Sequence, residues 1–147
     1  MGLLDDLGSG PVALDTSIFV YLIEEDPRFL GAVLPVFSAA SEGRYGLVAS
    51  TLTLMEVLVM PYRHGDIGLA QRYEALLTGS REIRLIDIGR DLLRTAARLR
   101  AATGVRTPDA IQLAAARAAG CSAFVTNDRR LPSVTDLPVI QLGAYAR

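Results

Sequence analysis

Val12-Ala13-Leu14-Asp15-Thr16-Ser17 is the stretch that decides the fold. Three apolar residues run straight into a carboxylate and two hydroxyls. That pattern reads as a short buried strand over residues 12–15, followed at once by a helix. An aspartate at the carboxyl end of a central strand stands where open α/β sheets bind their ligands. Thr16 or Ser17 can cap the helix, which would leave the Asp15 carboxylate free.

Strand and helix patterns alternate outward from this point. Further strands are expected at 45–49, a short continuous apolar run, and at 83–88, 123–126 and 139–142. Between them fall helices over 16–24, from Pro27 to about Ser41, through about Met60, over 67–77, over 91–103 and from Thr107 to Ala119. Pro35 should kink or split the second of these, and Pro61 should end the third. Gly104 and Gly120 follow their helices as C-terminal stops. The alternation predicts a three-layer α/β/α sandwich around a parallel five-stranded sheet. With no repeat, linker or low-complexity segment, residues 1–147 read as one domain, and residues 1–10 as a loose leader before the Gly8-Ser9-Gly10-Pro11 breaker.

Composition narrows the chemistry. The 147 residues are 50% apolar with a mean hydropathy of +0.31, as expected of a sheet covered on both faces. The longest uncharged apolar run, Phe29 to Ser41, contains Pro35 and is too short to span a bilayer. The single cysteine, Cys121, can form neither an internal disulfide nor a thiolate metal site, which points to a cytoplasmic protein. All 15 basic residues are arginine. Without lysine there is no Walker A loop, no Schiff base and no lysine-assisted aspartyl phosphatase. One histidine rules out a histidine-pair ribonuclease. A net charge of -1 and a pI near 5.8 leave nucleic-acid binding to local arginine patches.

Four acids remain as the candidate site. Asp15 ends the first strand. Glu56 is the only acid between Tyr45 and Arg63, set among Leu52, Leu54, Met55, Val57, Leu58 and Val59 in a helix expected to be mostly buried. A buried carboxylate without a partner costs several kcal/mol, so an arginine, a hydrogen-bond network or a cation must hold it. Asp109 lies in the first turn of the Ala-rich helix opened by Thr107-Pro108. Asp128 follows the fourth strand in Thr126-Asn127-Asp128. If the first and fourth strands are neighbours, the two strand-end acids meet in one crevice. Converging carboxylates repel unless a cation sits among them, and an all-oxygen set suits Mg²⁺ or Mn²⁺.

These motifs together resemble the PIN-domain family, and within it the toxin ribonucleases of VapBC toxin–antitoxin pairs. The residues that carry the resemblance are Leu14-Asp15-Thr16-Ser17, the helix from Ser50 to Leu58 around Glu56, the run Arg106-Thr107-Pro108-Asp109-Ala110-Ile111-Gln112-Leu113-Ala114, and the segment from Phe124 to Leu131. They fall in the family's order over nearly the whole chain. The resemblance implies Mg²⁺- or Mn²⁺-dependent endonucleolytic hydrolysis of RNA. It makes Asp15, Glu56 and Asp109 the core metal ligands and Asp128 the fourth acid. Thr16, Ser17, Thr126 and Asn127 become polar helpers. It also implies a homodimer and a cognate antitoxin protein. Arg106, Arg129 and Arg130 adjoin the acids and are the candidates for RNA contact. The alternative from a different class is a non-catalytic PIN-like module that binds RNA or protein, with structural acids.

Overall fold

The computed structural model describes residues 2–134 and 136–146. Five strands form one parallel sheet: β1 (Val12–Leu14), β2 (Leu47–Ser50), β3 (Ile83–Ile86), β4 (Ala123–Thr126) and β5 (Val139–Gln141). Their spatial order is β3-β2-β1-β4-β5. The chain builds outward from β1 to β2 and β3, then crosses back to lay β4 and β5 on the other side. The strand order therefore reverses at β1, and β1 and β4 pair with Val12 opposite Ala123 and Leu14 opposite Val125. The expected neighbourhood of the first and fourth strands is what the sheet contains.

Both faces of the sheet are covered at its centre, which is why β1, β2 and β4 are buried along their whole length, while the edge strands β3 and β5 carry Arg84 and Gln141. The period-two alternation of a strand divides its residues between two cores. Val12, Leu14, Leu47, Ala49, Ala123 and Val125 face α1 (Leu3–Leu7), α2 (Thr16–Ile23), α3 (Leu30–Ser41), α4 (Thr51–Arg63) and α5 (Ile67–Gly79). Ala13, Val48 and Phe124 face α6 (Arg90–Thr103) and α7 (Thr107–Ala118). Ala110, Ala114, Ala115 and Ala116 of α7 are buried against that second face. Small side chains on both sides let α7 lie close to the sheet and hold its first turn rigidly.

Several expectations are corrected. The leader is not loose over residues 3–7, which form α1; Met1 lies outside the described residues. Leu3 and Leu7, one turn apart, are buried, and the Ser122 hydroxyl donates to the Leu7 carbonyl at 2.8 Å. Five residues are too few to show a period in sequence. The Pro27 helix starts instead at Leu30, because Asp26 accepts from the Arg28 backbone and side chain and holds 26–28 as a turn. Pro35 lies within α3, which continues to Ser41 as one helix. Pro61 is buried within α4, which ends two residues later, so its missing N–H costs a single bond near a terminus. Four strand boundaries shift: β1 ends at Leu14 rather than Asp15, β2 covers 47–50 rather than 45–49, β3 ends at Ile86 rather than Ile88, and Leu142 belongs to a 3-10 turn.

A candidate acid site at the sheet switch point

Asp15 stands just past the end of β1, where its N–H donates to the Val125 carbonyl of β4 at 2.9 Å. It is itself the N-cap of α2: Oδ1 accepts from the Thr16 N–H at 2.7 Å. The expectation that Thr16 or Ser17 would cap in its place is thus corrected. Oδ2 accepts from the Thr126 hydroxyl at 2.7 Å. Each carboxylate oxygen keeps a second lone pair after these bonds. Burial pushes the Asp15 carboxyl above its ordinary range, against the two hydrogen bonds, and the charges of Asp109 and Glu56 push it further the same way. Glu56 of α4 and Asp109 of α7 are thus both near enough to act on the Asp15 carboxyl.

Glu56 projects from the second turn of α4. Its Oε1 accepts from the Thr16 hydroxyl at 2.6 Å and faces the Gln112 amide nitrogen at 3.3 Å. Its holder is thus a hydrogen-bond network; among the described residues no arginine forms an ion pair with it. The helix around it is less buried than expected. Met55, Val59 and Tyr62, at helical spacing i, i+4, i+7, are 58%, 42% and 58% exposed and form an apolar stripe beside the acid. On the first two long helices Phe19, Val33 and Val36 are fully buried, while Leu34 is 45% exposed.

Asp109 sits in the first turn of α7, and the Arg106 Nε donates to it at 3.4 Å. The other end of the same guanidinium lies 3.8 Å from Asp128. Asp128 is forked by Arg130, with both nitrogen–oxygen distances at 3.0 Å. That hydrogen bonding, chiefly, holds the Asp128 carboxyl below its ordinary range, with Arg106 adding to it. The Asp128 N–H donates to the Thr126 hydroxyl at 3.0 Å, so one hydroxyl links Asp15 to the start of the Asp128 loop. Asn127 turns away to donate to the Tyr21 hydroxyl at 3.1 Å. Ser17 is half-buried in the first turn of α2, and Arg129 is exposed. A cavity of about 230 Å³ opens beside Asp109, walled by Arg106, Arg130, Val105 and Leu131.

Three residues of this site went unread in the sequence. Gln112, Thr53 and Ser50 are buried polar side chains joined to one another and to Glu56. The available signal was Gln112 itself, a polar residue in a run of alanines one turn beyond Asp109. Cys121 is buried, which pushes its thiol up to about 12 and agrees with a structural role.

The donor chemistry fits a hard divalent cation: mutually repelling carboxylates, with hydroxyls that orient them. Among the described residues, no three acidic, histidine or cysteine side chains stand close enough to share one ion. Gathering Asp15, Glu56 and Asp109 on a cation thus requires small side-chain adjustments, for which the half-buried Glu56 and Asp109 have room.

A parallel α/β/α sandwich with acids gathered at the reversal of strand order defines a class of hydrolytic and binding folds. The PIN domain family model matches residues 12–137, and the chain belongs to that family. No curated protein matches it in sequence. Solved structures share its fold. A toxin–antitoxin complex from Klebsiella pneumoniae superposes with a TM-score of 0.67 at 21% identity, covering 89% of this chain and 97% of that one. VapBC2 from Rickettsia felis, bound to a promoter DNA fragment, gives 0.68 at 18% identity, covering 89% and 98%. Mycobacterium tuberculosis VapC20, a toxin that cleaves the sarcin–ricin loop, gives 0.62 at 19% identity, covering 77% and 86%. The chain therefore has the fold of VapC-type toxins. No helix among its described residues is long and apolar enough to cross a membrane.

Proposed function

We propose that this protein is a metal-dependent endoribonuclease, the toxin of a toxin–antitoxin pair, acting in the cytoplasm as a homodimer until a cognate antitoxin binds it. The observation that carries the reading is the convergence of Asp15, Glu56 and Asp109 from three elements, each raising the cost of ionising Asp15. Asp15, Glu56 and Asp109 would hold Mg²⁺ or Mn²⁺, with Asp128 as the fourth acid. A divalent ion bound there would supply a water of lowered pKa and offset charge developing on the phosphate.

The chain's own residues do the rest. Thr16 and Thr126 orient the Glu56 and Asp15 carboxylates through their hydroxyl protons. Arg106 and Arg130, already at the rim of the acids, bind the RNA backbone, with exposed Arg129 beside them. The apolar stripe Met55–Val59–Tyr62 provides a surface for protein association next to the site. The toxin–antitoxin complexes among the structural neighbours support an antitoxin as one such partner.

The test is incubation of a pool of structured and single-stranded RNA with purified protein in Mn²⁺, in Mg²⁺ and in EDTA, beside Asp15→Asn. Cleavage that needs metal and is lost in the variant is expected. Cutting that survives EDTA, or Asp15→Asn, sinks the reading.

A second reading, a non-catalytic module, draws on the pairing of Asp109 and Asp128 with Arg106 and Arg130. Internal pairing of that kind is how structural acids are satisfied. RNA bound equally by wild type and Asp15→Asn without cleavage would favour it.

A further inference from the structure

We propose that Gln112 is a positioning residue for the acid site, fixing the Glu56 carboxylate against Thr16; the role rests on the ribonuclease reading above. Gln112 is 3% exposed and lies one turn beyond Asp109, on the same face of α7. Its Oε1 accepts from the Ser50 hydroxyl at 3.0 Å. Its Nε2 faces three oxygens: Thr53 Oγ1 at 2.9 Å, and Thr16 Oγ1 and Glu56 Oε1, each at 3.3 Å.

The direction of every bond follows from that placement. The amide nitrogen only donates, so Thr53 and Thr16 must accept from it. The reverse amide orientation would set a carbonyl oxygen against the acceptor-only Glu56 carboxylate, which excludes it, and in the orientation that remains the Ser50 hydroxyl donates to Oε1. Thr16 is then left with its single proton for Glu56, at 2.6 Å. Thr53, 3.1 Å from Thr16, donates to it in turn. One buried amide thereby sets the polarity of a chain of hydroxyls ending on a site acid.

Packing alone does not call for glutamine here. A Met or Leu would fill the same volume in this alanine-rich helix without burying polar atoms. The amide instead ties together α7, which carries Asp109, α4, which carries Glu56, and α2, which Asp15 caps. Groups that orient the ligands of a metal without touching it characteristically change affinity or turnover 10- to 100-fold when removed, by roughly that range.

The experiment compares wild type with Gln112→Met and Ser50→Ala, the second keeping the amide but removing the hydroxyl that anchors its carbonyl oxygen. Free Mn²⁺ is followed by electron paramagnetic resonance, RNA cleavage is resolved into kcat and KM, and metal-free crystals of each protein are solved. For Gln112→Met the expected result is Mn²⁺ affinity and kcat each down about tenfold. KM for RNA stays within about twofold, because the backbone-binding arginines are untouched. In the crystals Glu56 leaves Thr16. Ser50→Ala should fall between the two. Unchanged kcat and Mn²⁺ affinity in both variants, or a Glu56 that stays on Thr16 in Gln112→Met, overturns the proposal. A wild type that neither binds Mn²⁺ nor cuts RNA overturns the ribonuclease reading instead, while the crystals still decide whether Gln112 places Glu56.

Discussion

Thr16 and Glu56 lie 40 positions apart, yet the Thr16 hydroxyl meets Glu56 Oε1 at 2.6 Å. The bond joins the first turn of α2 to the second turn of α4, across the ends of β1 and β2. It places an acid from the middle of one helix beside an acid that caps another. Thr16→Val keeps the shape of the side chain but removes that proton. RNA cleavage by Thr16→Val should fall about 10- to 100-fold in kcat, the range for residues that orient metal ligands. Steady-state kinetics with Mn²⁺ checks this, and a kcat equal to wild type would show that the bond is incidental.

Asp15 governs how the metal-free protein responds to pH. Its folded carboxyl lies above the ordinary value of 3.8, chiefly through burial. The folded state then binds the proton more tightly than the unfolded state, so stability falls as pH rises from 3.8 through the folded value. Asp15→Asn removes that loss. Its amide oxygen can still accept from the Thr16 N–H, and its NH₂ can donate to Thr126. The variant should be the more stable at pH 7 by on the order of 1 kcal/mol, as is common when a costly functional group is replaced. The advantage should shrink towards pH 3.8. Urea melts in EDTA at several pH values measure this; a less stable variant at pH 7 contradicts it.

Metal should act in the opposite sense. An ion bound only by the folded state raises Tm, with a stabilisation that grows as the logarithm of one plus the ion concentration over its Kd. Millimolar Mn²⁺ is expected to raise the Tm of wild type and leave Asp15→Asn nearly unmoved. Equal shifts in both would place any bound metal elsewhere.

Arg106 spans Asp109 and Asp128, at 3.4 and 3.8 Å. It competes with a cation for the acids and offers a charge to RNA. Arg106→Ala should tighten Mn²⁺ binding while raising KM for RNA. Its effect on stability should stay below about 1 kcal/mol, because the guanidinium is 63% exposed and screened. Isothermal titration with Mn²⁺ and a salt series for RNA binding separate the two effects. Weaker Mn²⁺ binding in the variant would contradict the competition.

The apolar stripe on α4 gives a prediction about assembly. Light scattering should find wild type at twice the 15.8 kDa chain mass and Val59→Glu, changed at an exposed position, at the single mass. A monomeric wild type excludes the homodimer.

The sequence by itself determined the layer order and the acids. The central strands β1, β2 and β4 are covered on both faces, so their apolar runs are legible, and Asp15, Asp109 and Asp128 sit where a strand or helix boundary is written in local chemistry. Glu56 was legible as a lone acid among apolar neighbours. Tertiary structure decided what holds these acids. The α1 helix was invisible because five residues carry no period, although Leu3 and Leu7 are buried. The burial of Glu56 was overestimated, because an apolar stripe facing solvent looks the same in sequence as one facing a core. The bond from Thr126 to Asp15, the arginine shared by Asp109 and Asp128, and the amide of Gln112 depend on partners that only the pairing of β1 with β4 and the docking of α7 on β4 and α4 bring within reach. Hydrogen bonds are short and directional, so their partners cannot be read from spacing along the chain; apolar burial is non-directional, and its pattern can.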